Sequence, residues 1–319
     1  MAEKDLYASI AGVTSPISVI IQEGSGQTTA NCSIECVSTA LSIGDEIIVD
    51  LGYTDAHGVV FTGVVKSIGT SAPDGKVTLS CFDKYILAVD FFLAYQDLES
   101  GFSRSYIDAT DLVEALVNLA GLTNFTGIKS YFTFTEPTFN LVSSADAITQ
   151  IENIIVWKAW ADELGVIHWA DRKPYVTGSD TPEFAFITGN SGTIIADELV
   201  KSTKNLRNKV VVYGNEGIYA TSSDVSPYLP ANFYSTAIIA SPLITTQSMA
   251  QDSAGYNLTL YNRLTQTVNA ELIGDYRIHA RDIITITEAH TGVSGDWFVQ
   301  KLTHSFGTGG YTLRLGLTK

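Results

Sequence analysis

The sequence predicts a mixed, β-dominated fold: two antiparallel β-barrels in one chain, an α/β domain between them, and an insertion in the second barrel. Three observations predict it. Short alternating apolar runs, separated by Gly, Ser, Asn and Asp, occupy both ends of the 319-residue chain. Helical periodicity is confined to the middle. The end of the chain also repeats its beginning: Thr29–Val49 (TANCSIECVSTALSIGDEIIV) lies over Thr265–Thr285 (TQTVNAELIGDYRIHARDIIT) without a gap at an offset of 236.

In the repeat, Thr29, Glu35, Ile47 and Ile48 meet identical residues at Thr265, Glu271, Ile283 and Ile284. Further on, GVVFTGVVKS from Gly58 matches GDWFVQKLTH from Gly295 at an offset of 237, and GKVTLSCFDK from Gly75 matches GYTLRLGLTK from Gly310 at 235. The first barrel, residues 1–95 with a trailing helix, takes its strands from Ile17–Gln22, Asn31–Val37, Glu46–Leu51, Val59–Ser67 and Lys76–Phe82. The trailing helix follows Asp83, where Tyr85, Ile86, Val89, Phe92 and Leu93 recur at three- and four-residue steps.

Residues 96–182 form the expected α/β domain. One helix runs about 109–120, capped by Asp108, with an apolar stripe of Leu112, Leu116 and Leu119 and Gly121 at its end. A second spans about 144–156, opened by Ser143 and Asp146. The hairpin 157–171 turns near Glu163–Gly165 and carries Trp157, Trp160 and Trp169, read as core against a two-stranded ribbon. The second barrel takes 183–214 and 265–319, with NKVVVYG (Asn208–Gly214) as the counterpart of Ile17–Gln22. Residues 215–264 are the insertion, with an apolar piece at Tyr234–Ala240 and a helix from Thr246 to about Leu260.

Composition limits the function. With 34 acids, 19 bases and a net charge of -15, the chain repels phosphate backbones, which argues against nucleic acid as a cognate ligand. No apolar run is long enough to span a membrane, and the start lacks a secretion signal, so the expectation is assembly in the cytoplasm. Three cysteines make an odd number, and Cys32 and Cys36, which align with Val268 and Leu272, read as core hydrophobes. His57, His168, His279, His290 and His304 stand in no ligand or catalytic spacing, and each taken singly reads as a surface residue. Neighbouring acids such as Asp162/Glu163 are expected by chance. The expectation is a protein that is not an enzyme, with no catalytic residue, no cofactor and no metal.

The segments SIGDEIIVDLGY (Ser42–Tyr53), FTGVVKSI (Phe61–Ile68), DATDLVEALVNLAGL (Asp108–Leu122), WKAWADELGVIHW (Trp157–Trp169), STKNLRNKVVVYG (Ser202–Gly214) and the closing stretch Arg281–Leu315 occur in an order that covers nearly the whole chain. In that order they resemble the baseplate hub proteins of tailed phages, the group that includes the late control protein D family and the hub part of type VI secretion spike proteins. The resemblance implies a homotrimer whose two tail-tube-like barrels per chain make a pseudo-hexameric ring. Such a ring joins a hexameric tail tube, or distal tail protein ring, to a trimeric spike in the virion, with a tape measure protein as a further partner. DNA passes through its channel without specific binding. The chain ends at Lys319, so a spike or cell-wall hydrolase is expected on a separate polypeptide. Glu35, Glu46, Glu271 and Asp282, taken as equivalent pairs of the two barrels, are candidates for ring interfaces or the channel wall. The rival readings are a carbohydrate- or receptor-binding module stacking sugars on Trp157, Trp160 and Trp169, and a cell-wall hydrolase.

Overall fold

A computed structural model of the chain describes residues 5–26, 28–71, 74–93, 107–130, 132–139, 141–187, 194–288 and 292–319; His290 and the 94–106 stretch lie outside them. The first half is six strands: β1 (Leu6–Ile10), β2 (Val13–Gly24), β3 (Asn31–Thr39), β4 (Glu46–Tyr53), β5 (Ala56–Thr70) and β6 (Val77–Asp83). They lie in the order β1-β4-β5-β6-β3-β2, all antiparallel. Period-two alternation makes them strands, since Val19, Ile21, Cys32, Ile34, Cys36, Leu79 and Cys81 are buried while Ser33 faces out. All three cysteines are buried and free.

The middle follows as α1 (Ile86–Asp90), β7 (Ile107–Asp108), α2 (Ala109–Leu119), β8 (Phe125–Gly127), β9 (Thr133–Phe134), α3 (Ser144–Ile155), β10 (Lys158–Ala161) and β11 (Ile167–Ala170). Asp108 accepts from the Thr110 N–H at 2.8 Å and Ser143 from the Asp146 N–H at 3.0 Å, as N-caps should. The helix after Asp83 is shorter than its periodicity predicts. It stops at Asp90 because Leu93 turns to hydrogen-bond with Val142 and Leu141, which extends the chain there.

The remainder comprises β12 (Phe184–Ile187), β13 (Ile194–Ser202), β14 (Lys209–Tyr213), β15 (Tyr219–Ser223), β16 (Thr236–Ala240), α4 (Gln247–Tyr261), β17 (Thr265–Ile273), β18 (Ile283–Thr287), β19 (Ser294–Gly307) and β20 (Gly310–Thr318). The order β18-β19-β20-β17-β13 repeats β4-β5-β6-β3-β2. The rungs repeat too: Cys32↔Cys81, Ile34↔Leu79 and Cys36↔Val77 return as Val268↔Leu317, Ala270↔Leu315 and Leu272↔Leu313.

These rungs correct the sequence alignment. β6 meets β20 at an offset of 236, since 235 would set Leu79 on exposed Arg314 and reverse every side chain. The bulge at Val65/Ser67, opposite Cys81 and Ser80, corresponds to the bulge at Val299/Lys301, opposite Leu317 and Gly316, so β5 meets β19 at 234. The Ser42 N–H bonds the Asp45 carboxylate at 2.7 Å, and the His279 N–H bonds the Asp282 carboxylate at 2.7 Å, which sets the loop before β18 at 237. Asp282 is thus the counterpart of Asp45 rather than of Glu46.

Three further expectations change. NKVVVYG is not the counterpart of Ile17–Gln22: β13 holds that place, pairing β17 as β2 pairs β3, while β14 joins β15 and β16 in a separate sheet. The sheet is not wholly antiparallel, because β12 runs parallel to β18. Two closed barrels are also absent from the described pairing. Val19–Gly24 of β2 pair with Lys301–Phe306 of β19, which fuses the halves into one 12-stranded sheet, and no ladder returns β1 to β2. One apolar core runs beneath this seam, from Ile21 and Ile34 to Leu302 and Leu315. A second core joins α2 and α3 to Val210, Val212, Met249 and Ala254, so the inserted segment packs with the α/β elements.

Ile20 lies on the seam opposite Ser305, with its side chain 42% exposed, which separates its backbone role from its packing. Ile20→Pro breaks a ladder on β2 and is expected to lower stability by ~3 kcal/mol or more, whereas Ile20→Thr costs less than ~1 kcal/mol. Urea unfolding of both variants measures the difference.

Candidate functional site

A cavity of about 520 Å³ opens where the two halves and the β10–β11 hairpin meet. Its walls include Glu23 and Gly24 at the end of β2, Asp83 at the end of β6, Trp160, Asp162, Glu163 and His168 of the hairpin, and Arg277 and His279–Asp282 before β18. The hairpin is fastened to both halves. Thr62 of β5 donates to the Glu163 carbonyl at 2.7 Å, and Arg172 Nε donates to the Arg281 carbonyl at 3.1 Å.

Glu23 is brought inward by its place on the seam. It pairs with Leu302 and shares a face with Ile21 and His304, so strand alternation carries a carboxylate into the core edge. Its Oε2 accepts the Ala280 N–H at 3.1 Å, while Oε1 lies 3.5 Å from His279 Nδ1 and 4.0 Å from His304 Nε2. Burial alone would raise the Glu23 pKa, but His279 outweighs it and the carboxyl is held below its ordinary value. Burial works against protonating His279, yet Glu23 pushes it up to about 9. His304, fully buried, is pushed down to about 4 by desolvation. Its Nδ1 lies 2.7 Å from the Tyr311 hydroxyl.

The remaining charges hold backbone. Asp83 accepts the N–H groups of Ala30 and Tyr85, and burial pushes it up to about 7. Asp282, also pushed up to about 7 by burial, accepts from His279. Asp162 pairs with His168 Nε2 at 2.7 Å and accepts from Val166 and Leu164; these contacts overcome its burial and lower its pKa. Arg281 takes a left-handed backbone (φ 84°) at the position where the first half has Gly44 (φ 95°). Its guanidinium sits 4.9 Å from the Trp160 ring centre and donates to the Gly24 carbonyl at 3.3 Å; burial pulls it down to about 10. Carboxylates committed to backbone donors suit a joint better than acid–base chemistry.

The predicted site residues are not brought together. Glu35 pairs with Lys76 at 2.8 Å, Glu46 with Lys84 at 2.6 Å, and Glu271 with Arg314 at 3.6 Å, all on outer faces. Asp282 alone reaches the cavity. Two histidines are not surface residues: His304 is buried in β19, and His279 is only 17% exposed in side chain. Alternation with Leu302 was the signal that places His304 inward. Trp169 is core and Trp157 packs on it at 5.7 Å, but Trp160 borders the cavity, stacked on His168 at 5.2 Å. His57 pairs with Asp50 and stacks on Tyr7 at the surface.

A family model described as YQBQ-like matches residues 244–318, and no curated protein matches the chain. A tail protein from Neisseria meningitidis MC58 superposes with a TM-score of 0.73 at 13% identity, covering 99% of this chain and 97% of its own. The 43 kDa tail protein of prophage MuSo2 from Shewanella oneidensis gives 0.68 at 14% identity, covering 99% and 98%. The chain has the phage tail-protein fold. An E. coli protein, c3393, described as a type VI secretion component similar to the T4 tail proteins gp27 and gp5, gives 0.53 at 10% identity, covering 98% of this chain and 76% of its own. The resemblance to tail and baseplate hub proteins therefore holds at the level of fold. Among the described residues no helix is long and apolar enough to cross a membrane.

Asp83 gives this site a pH signature. Its folded pKa, about 7, lies above the ordinary 3.8, so its neutral form favours the fold and that contribution is lost as pH rises from about 4 through 7. Asp83→Asn is expected to flatten the decline of melting temperature across this window. Parallel curves for the two proteins would count against the assignment.

Proposed function

We propose that the chain is a structural hub of a phage tail, a homotrimer whose six repeated halves form a ring that adapts a six-fold tube to a three-fold spike. The observation that carries this reading is the five-strand order occurring twice, within a chain that matches tail proteins along 99% of its length. Three chains with two halves each supply six similar sheets while keeping three-fold character elsewhere.

The seam supplies a contact rule. Within the chain, β2 of the first half meets the C-terminal part of β19 of the second. Their counterparts, β13 and the C-terminal part of β5, have no ladder on the corresponding side among the described residues. A head-to-tail contact that leaves complementary edges at both ends continues to the next copy, and closes if the rotation permits. The corrected offsets place Ser67 opposite Ser202 of the next chain, as Lys301 lies opposite Gly24 inside one chain. Glu35 and Glu271 then occupy equivalent rungs, Glu35↔Thr78 and Glu271↔Arg314, on the wall of a channel past which DNA moves without adhering. Glu46 stands with them as an interface residue. The tail tube, spike and tape measure protein are the partners this reading requires.

Two measurements test it. Light scattering of the purified chain should give three times the monomer mass, and a monomer at every concentration would end the proposal. The double variant Ser67→Cys, Ser202→Cys should give disulfide-linked trimers on a non-reducing gel, with native Cys32, Cys36 and Cys81 buried and silent. Monomers alone from an oxidised trimer would place the contact elsewhere.

A further inference from the structure

Glu23, His279 and His304 are the one group among the described residues whose ligand atoms, three in number, fall within 4.8 Å of one another in metal-binding combination. Two details separate this cluster from an ordinary ion pair. Each imidazole has its outer nitrogen turned to a partner and its inner nitrogen turned to Glu23 Oε1. His304 Nδ1 meets the Tyr311 hydroxyl at 2.7 Å, and His279 Nε2 faces Glu163 Oε2 at 3.9 Å. The inner atoms, His304 Nε2 and His279 Nδ1, are buried and make no well-formed hydrogen bond. The Ile278 backbone also lies near His304 but makes no well-formed bond to Nε2, and a nitrogen so poorly satisfied on a side chain that is 0% exposed is costly unless something else occupies it. Histidines that ligate zinc show the same division, one nitrogen on the ion and the other held by a carboxylate or hydroxyl that fixes the tautomer.

The internal repeat supplies a second line. At the corrected offsets, His279 stands where the first half has Ser42, and His304 where it has Thr70, both exposed. The donor pair therefore belongs to the half whose β19 enters the seam. Acids also outnumber bases around it: Glu163 and Asp282 face His279, Asp83 faces Glu23 and Asp275 faces His304, against Arg281 beside Glu23.

We infer that Glu23, His279 and His304 bind one divalent transition ion of the zinc class, which clips β2 to β19 across the seam. The His₂–carboxylate set with Nδ1 and Nε2 donors suits zinc. Tetrahedral bonds near 2.1 Å put ligand atoms about 3.4 Å apart, against 3.5 and 4.0 Å between Glu23 Oε1 and the two nitrogens. Small side-chain rotations close the set, and a water from the cavity completes it. Tyr311 and Glu163 act as positioning residues. The inference stands whether or not the chain assembles as a tail hub.

The full chain, stripped with a chelator, is titrated with Co(II) and then Zn(II). The expected result is one Co(II) per chain with the visible bands of a tetrahedral site, displacement by Zn(II), and a melting temperature that rises with either ion. Tyr311→Phe keeps the ring and is expected to weaken Co(II) binding 10- to 100-fold, while Glu23→Gln abolishes the bands. Glu183→Gln, at the cavity wall but not facing the donors, retains wild-type affinity. Absence of bands and of a thermal shift in the wild-type chain overturns the inference, as does equal affinity in the wild-type and Tyr311→Phe proteins, or equal loss in Glu183→Gln and Glu23→Gln. If Glu23→Gln fails to fold, the wild-type stoichiometry and Tyr311→Phe decide.

Discussion

The pairing of β2 with β19 is the constraint on which the rest of this structure depends. Six rungs of backbone hydrogen bonding turn two copies of one module into a single sheet over one core. A repeated module joined only by a flexible linker would be free to rotate; here Val19 and Ile21 are buried beside Leu302 and His304, so any rotation would expose apolar surface and break a ladder. The cavity exists because this seam ends: Glu23 and Gly24 are the last residues of β2, and the loop before β18 wraps over that end.

The middle of the chain behaves as a brace. Its hairpin touches the first half through Thr62 and the second through Arg281, and its helices share a core with the inserted β14, β15 and α4. Burying Glu23, His279, Arg281, Asp83 and Asp282 in one place carries a desolvation cost, which the shifts of Asp83, Asp282 and Arg281 record, while in Glu23 and His279 their mutual attraction outweighs it. The arrangement persists because each charge also satisfies a backbone donor or acceptor, or an opposite charge. Such a network tolerates one geometry and penalises neighbouring ones, which suits a part that must hold a fixed angle between its halves.

Much of this was legible in the residues. Alternation gave the strands of both ends, caps at Asp108 and Ser143 gave two helices, and the repeat gave the equivalence of β3 with β17. The offsets slipped by one residue in β6 and three in β5, because a few matching residue types in short runs outweighed the inward–outward alternation, and only the ladders and the bulge fix the register. β14 was misplaced since an alternating strand of a small mixed sheet and a barrel strand read alike over five residues. The site was not legible: Glu23, His279, Arg281 and His304 come from three separate segments and follow no spacing rule. One trace was present, a histidine on the apolar face of THSF in β19.

The two halves share a backbone but not an environment, and their differences follow that division. Ser42, Gly44 and Thr70 are exposed in the first half, whereas their counterparts His279, Arg281 and His304 lie at or beneath the seam. A left-handed residue that costs glycine nothing is held by arginine in the second half, at the expense of backbone strain, because its guanidinium bridges Gly24 and Trp160. A contact between chains, made by β5 and β13, would therefore reuse the strand geometry of the seam without its buried charges. Two kinds of joint would then alternate around any ring this chain builds, a fixed one within each subunit and a more hydrated one between subunits. If three chains close it, as proposed, the ring would have six similar sheets and three-fold symmetry, which is the property an adaptor between a six-fold and a three-fold partner needs.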